Sequence, residues 1–296
     1  MSRYLDPKAD VVFKKIFGEH PHLLKSFLNA VLPLAVDNPI MELSYLPTEQ
    51  IPPIPTFKRT IADVKCTDAC GRVFIVEMQI EWTDSFKQRL LFGTSQAVVK
   101  QLEKGEHFRL LQPVYGLGIV ADTFDKDAKE WYHHYQLVKR GDSSEDVIEH
   151  LQLVFIELPK FPVQSSTDKK LRLLWLRFLR EIDEKTIQVA QELLDVPEIC
   201  EAIVLAEEAA YTPGELNAYE SYWDAVRTEK TRLIDKYEKG KAEGKIEGKI
   251  EGKVEGRQEA AVEIAKQLLK LGISIPVIAT STQLTPEQLE EIKRSN

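Results

Sequence analysis

The run PVYGLGIVA at residues 113–121 is apolar on both of its strand faces. A strand of that kind has to lie inside a sheet that is covered on both sides, which selects an α/β architecture. A second run, VFIVEMQIEW at 73–82, is also strand-like, but Glu77, Gln79 and Glu81 interrupt it at every second place. Strand parity puts those three on one face. A carboxylate on a buried strand is unfavourable unless it is paired, hydrogen-bonded or bound to a cation.

Around these runs the order is helices, strand, strand, helix, strand, strand, then helices only. ADVVFKKIFGEHPHLLKSFLNAVLP reads as two helices, the first ended by Gly18. RTIADVKCTD and RVFIVEMQIEW form a hairpin turning at Gly71, after the proline-rich loop IPPIPTF at 51–57. Residues 86–104 form a helix with Arg89, Gly93, Gln96 and Lys100 along one polar face. WYHHYQLV and HLQLVFIEL are further strands, and helices run from about residue 166. His133 and His134, adjacent on a strand, point to opposite faces and share no metal.

The net charge of −8 argues mildly against a chain that coats nucleic acid, but it is unevenly spread. Residues 181–220 carry eleven Asp/Glu against one Lys, whereas residues 58–110 carry nine Lys/Arg against seven Asp/Glu. The hairpin region is therefore compatible with a polyanion. No stretch approaches the ~18–20 apolar residues of a membrane span. With three cysteines, Cys66, Cys70 and Cys200, there is neither a disulfide framework nor a zinc set, and a reducing cytoplasm is the expected compartment.

Asp63 and Lys65 share one face of their strand by parity, with Ala62, Val64 and Cys66 on the other. Across the hairpin Asp63 can approach Glu77, and two such carboxylates suit Mg²⁺, which keeps several waters and takes one or two protein oxygens. Asp63 followed by Glu77-Met78-Gln79 resembles the signature of the PD-(D/E)xK nuclease superfamily. More narrowly, the chain resembles the Rpn family of recombination-promoting nucleases and transposases. The residues that carry this are Asp10, Phe13 and Lys14, then Asp63, Glu77 and Gln79, then Arg89, then Gln101, Leu102 and Gly105, and the Glu-Gly-Lys tract.

That resemblance implies a restriction-endonuclease-like core, a mixed sheet flanked by helices, with an α-helical C-terminal extension. It implies hydrolysis of DNA phosphodiesters, with Mg²⁺ or Mn²⁺ on Asp63 and Glu77 and with Gln79 positioning the attacking water. Gln79 stands where the superfamily has lysine, and Ala62 where it has proline. An amide carries no positive charge, so Lys65 is the expected substitute, with Lys14 approaching from the first helix. Arg89, Gln96 and Lys100 are expected on backbone phosphates, giving affinity without sequence reading. The other readings are a catalytically weak nucleic-acid-binding or assembly protein on the same fold, and an interaction scaffold.

The expected organisation is a nuclease core at 1–160, an acidic helical region at 161–239, a repeat at 240–257 and a small helical module at 258–296. In the repeat GKAEGKIEGKIEGKVEG, glycine recurs every fourth residue from Gly240 to Gly256. Within one helix Glu faces Glu and Lys faces Lys, and five interior glycines cost about 4–5 kcal/mol relative to alanine. The repeat reads either as a solvated linker or as a helix made stable by forming a homodimer. The module after it looks like a helix-turn-helix, but its acidic last helix, PEQLEEIKR, points to regulation or interaction more than to DNA reading.

Overall fold

The computed structural model describes residues 3–50, 60–139, 146–161 and 170–294. The loop at 51–57 lies outside them. Two compact units are present, residues 1–226 and 227–296.

The core of the first unit is a six-stranded sheet in the order β1-β4-β5-β6-β8-β7. Its strands are β1 (Leu43–Tyr45), β4 (Val64–Asp68), β5 (Val73–Gln79), β6 (Val114–Val120), β7 (Tyr132–Val138) and β8 (Val147–Glu157). Two-residue strands β2 (Glu49–Gln50) and β3 (Thr60–Ile61) pair separately. β5, β6 and β8 are parallel, while β1, β4 and β7 run antiparallel to their neighbours. β6 is buried along its whole length, as its two apolar faces require.

Alternate residues of the central strands feed two layers. Phe74, Val76, Tyr115, Leu117 and Ile119 pack beneath α1 (Asp10–Phe13), α2 (Pro21–Val31), α4 (Lys170–Glu181) and α6 (Pro197–Leu205). Val73, Ile75, Val114 and Val120 pack beneath α3 (Phe86–Val99). The short α5 (Gln191–Leu194) adds Leu193 to the first layer.

The glycines of β6 let α3 come close. A Cβ on Gly116 would sit 2.5 Å from Thr94 Oγ1, and one on Gly118 would sit 2.9 Å from Phe86 and Phe155. At the far end of α3, the side chain of Gln101 donates to the Gln112 carbonyl and accepts its N–H. This clasp aligns the entry into β6. The Gln-Leu-x-x-Gly motif therefore has a structural use here, with Gly105 taking the left-handed backbone at φ +98°.

The hairpin turn is built on a buried ion pair. Gly71 adopts φ +82°, and the Asp68 carboxylate accepts from the Cys70 and Arg72 N–H groups and from Arg72 Nε. Arg72 then reaches the carbonyls of Asn38 and Pro39, tying the turn to the segment after α2.

α7 (Pro213–Lys270) is one continuous helix that includes the whole repeat. Of the two readings of the repeat, a solvated linker or a helix, the helical one is observed. Helix propagation is cooperative, and both ends are seeded here. Thr212 and Glu215 form a reciprocal cap at the start. Near the end, Ala265 packs with Ile278 of α8 (Ile275–Thr282) and Leu289 of α9 (Pro286–Arg294) in the core of the second unit.

Candidate active site

The chain around Asp63 departs from simple alternation. β3 and β4 are separate strands, and Asp63 stands in a bend just before β4. Ala62 packs under α3 with Ile75, whereas Val64 and Cys66 pack on the opposite layer. The expected shared face of Ala62, Val64 and Cys66 is thus broken at Asp63. The β4–β5 register runs Lys65 to Ile75 and Val64 to Val76, so its next step would set Asp63 opposite Glu77, just where the ladder ends.

At that point Met78 has no partner on the β4 side, and Asp63 Oδ2 accepts its N–H at 2.7 Å. The acid therefore replaces a missing ladder bond and is held beside β5. Burial raises its pKa, and the charge of Asp10 raises it further, while the Met78 N–H, Lys14 and Arg89 act the other way.

Glu77 is only 6% exposed. Its Oε2 receives Arg89 Nε at 3.3 Å. Burial raises its pKa, Arg89 opposes this, and the Asp63 charge adds to the rise. Arg89 also donates to Gln79 Oε1 at 2.6 Å, and Gln79 Nε2 donates to the Glu81 carbonyl. The guanidinium lies 4.9 Å over the Phe86 ring, one turn back on α3. Arg89 was expected on substrate phosphates; in the structure it joins Glu77 to Gln79.

Lys65, the expected substitute for the missing lysine, is half-buried on the strand next to Glu77, and both burial and the Lys100 charge lower its pKa. Lys14 pairs with Asp10 at 2.8 Å, where the helix after α1 widens into a π turn (Lys14–Gly18). Asp63, Lys65 and Lys14 line an open cleft of about 520 Å³ together with Gly18, Glu19 and Tyr45. Gln96 and Lys100 lie further along α3, with Gly93 buried between them and Arg89, since the helix is pressed onto β6 there. Glu81 lies beyond the end of β5 and is part-buried, outside the strand face that parity assigns it.

Two contributors were not foreseen. Tyr222, near the start of α7, has its phenol pushed up by burial and then by the charges of Asp10 and Asp63. Glu157, at the end of β8, is wholly buried. It accepts from Phe124 N, His133 Nε2 and Lys160 Nζ. Its signal was a charged residue ending an apolar strand. His133 and His134 do diverge, toward Glu157 and Gln152 respectively.

Among the described residues no three His, Cys, Asp or Glu side chains gather into a metal-holding group. The donor chemistry of Asp63 and Glu77 still fits a hard divalent cation. Each carboxylate engages one oxygen in the hydrogen bonds above and leaves the other for an ion completed by water. Mutual repulsion and burial would both be relieved by such a charge.

Among the described residues no helix is long and apolar enough to cross a membrane. No curated protein and no solved structure matches the chain significantly. Two family models do match. The Rpn/YhgA-like nuclease family, C-terminal HTH domain, covers residues 258–294. The PD-(D/E)XK nuclease family transposase model covers residues 7–235, most of the length, and its fold is the mixed, helix-flanked sheet described above. The chain belongs to the PD-(D/E)XK nuclease family transposases, with the C-terminal domain of the Rpn/YhgA-like nucleases.

Proposed function

We propose that the protein is a metal-dependent DNA endonuclease that hydrolyses phosphodiester bonds in a recombination- or transposition-like process. One observation carries this reading: two carboxylates, the part-buried Asp63 and the buried Glu77, come together at the end of a strand ladder, each with an oxygen left for a cation. They would hold Mg²⁺ or Mn²⁺, whose charge stabilises a phosphoryl oxygen gaining negative charge and acidifies nearby water. Gln79 orients the attacking water with its remaining N–H and lone pair, because its other contacts fix the amide. Arg89 supplies the positive charge that Gln79 lacks, and Lys65, whose ammonium is depressed, faces the same cleft as a proton acceptor or phosphate contact. Lys14, Gln96 and Lys100 would hold backbone phosphates.

Plasmid cleavage tests this in Mg²⁺, Mn²⁺, Ca²⁺ and EDTA, comparing the parent with Asp63→Ala. Cleavage in Mg²⁺ or Mn²⁺ that is lost in EDTA and in the variant is expected. Activity that survives both would overturn the assignment. Binding of DNA without cleavage would favour the second reading, a catalytically weak DNA-binding protein, which the glutamine at position 79 supports. A Lys65→Ala variant that cleaves as well as the parent would remove Lys65 from the machinery.

The second unit is read as an interaction module, since α9 keeps Glu287, Glu290 and Glu291 on a short helix. Exposed Ile246, Ile250 and Val254 recur every fourth residue of α7 and support a homodimer through that helix. Sedimentation of the parent against a triple Ser variant at those positions tests it. Equal masses would discard the dimer.

A further inference from the structure

Near the carboxylates, at the same carboxyl edge of the parallel strands, three aromatic rings surround one lysine. Trp82 follows the end of β5, Phe124 follows the end of β6, and Tyr135 stands on the edge strand β7. Trp82 and Phe124 stack with centroids 4.3 Å apart. The Lys87 ammonium lies 4.3 Å from the Phe124 centroid, 5.5 Å from Tyr135 and 5.6 Å from Trp82. It donates to the Tyr135 hydroxyl at 3.3 Å, and among the described residues no carboxylate pairs with it. A cation seated on ring faces keeps its full charge for an incoming anion.

The rings are fixed from behind. Glu157 holds the Phe124 N–H at 2.9 Å, His133 packs its ring 5.0 Å from Phe124, and Asp122 accepts the Trp82 N–H at 3.0 Å. A buried carboxylate thus sets the pose of a mostly buried ring before any ligand arrives, which lowers the entropy lost on binding. Contact also runs on toward the carboxylates. Trp82 meets Phe86 edge-on at 5.8 Å, and Phe86 carries the Arg89 guanidinium that reaches Glu77.

We propose that Trp82, Phe124, Tyr135 and Lys87 form a subsite for an unpaired nucleotide of the DNA strand passing the carboxylates. Its base lies against Tyr135, which is 43% exposed, and the rim of Trp82; its phosphate rests on Lys87. The subsite builds on the nuclease reading and gives that reading a strand preference. Bases in a duplex have both faces covered by their neighbours, whereas every unpaired base offers a ring face for stacking. Substrates with unpaired ends, bubbles or loops are the ones that can fill it.

The test is fluorescence anisotropy of the full-length protein in EDTA, with a single-stranded oligonucleotide and with the matching blunt duplex. Lys87→Met and Tyr135→Ala are each expected to weaken single-strand binding by about tenfold while shifting duplex binding by less than about twofold. Lys87→Met should also lower the single-strand salt slope by about 0.7. Tyr135→Phe keeps the ring and should keep the affinity, and thermal melts show that the variants fold. Single-strand affinity unchanged in both variants, or equal losses on the two DNAs, overturns the subsite. Plasmid cleavage by the parent and Asp63→Ala is run in parallel. Losses confined to the single strand without any parental cleavage would uphold the subsite and sink the nuclease reading; the converse pattern would do the reverse.

Discussion

The ends of β5 and β8 each bury a glutamate, and the two are treated in opposite ways. Glu157 has no exposed surface and is surrounded by donors, two from side chains and others from the backbone after β6. Glu77 is nearly as buried but has a single guanidinium partner and a second acid, Asp63, close enough to raise its pKa. Burial alone therefore says little about function. What separates the two is satisfaction: Glu157 has its partners and holds a loop in place, while Glu77 meets Arg89 alone and lies close enough to Asp63 for the two charges to repel.

The comparison can be broken most directly at the site. Asp63→Asn should reduce cleavage about a thousandfold, since the cation would lose half of its protein ligands, while the protein melts no earlier than the parent. A variant that unfolds would show that Asp63 is structural like Glu157. The opposite substitution, Glu157→Ala, should leave His133 and two amides without an acceptor and strip Lys160 of its carboxylate. It is expected to lower unfolding free energy by about 3–5 kcal/mol in urea titrations.

Next in size is Gly118→Ala, whose new methyl meets Phe86 and Phe155. A loss of about 1–3 kcal/mol is expected, with reduced cleavage as α3 moves Arg89 away from Glu77.

A finer test uses pH. Burial raises the pKa values of Asp63 and Glu77, so the folded chain binds those protons more tightly than the unfolded one. Their stabilising contribution is full below the ordinary carboxylate range, about pH 4, and is lost as pH rises through the raised values. Asp63→Asn should therefore gain stability relative to the parent as pH increases from about 4 to 8; parallel curves would refute the shift. The smallest effect is expected at Lys14→Ala, because its pair with Asp10 is nearly half exposed: at most about 1 kcal/mol in the same titrations.

Much of this was legible in the residues. The apolar run of β6 located the centre of the sheet, and parity placed Glu77 and Gln79 together. Parity failed at Asp63, because the alternation rule assumes an unbroken strand and a bend leaves no compositional trace. Lys65 was the nearest basic residue in the pattern, but Arg89 reaches Glu77 by folding α3 back over the sheet, a contact that sequence spacing does not encode. The repeat reads from sequence as either a linker or a helix for a related reason: glycine propensity is a local quantity, whereas the helix is nucleated at Thr212 and by the packing of Ala265.

The glycines of β6 have one more consequence. α3 rests on bare backbone at Gly116 and Gly118, so the gap between the arginine and the acids is set by the thickness of a peptide chain and not by the volume of core side chains. Drift in the surrounding core, one aliphatic residue for another, can proceed without retuning that gap. In a random mutagenesis library the tolerant positions should be the larger apolar ones along this interface, and the intolerant ones the two residues that have no side chain at all.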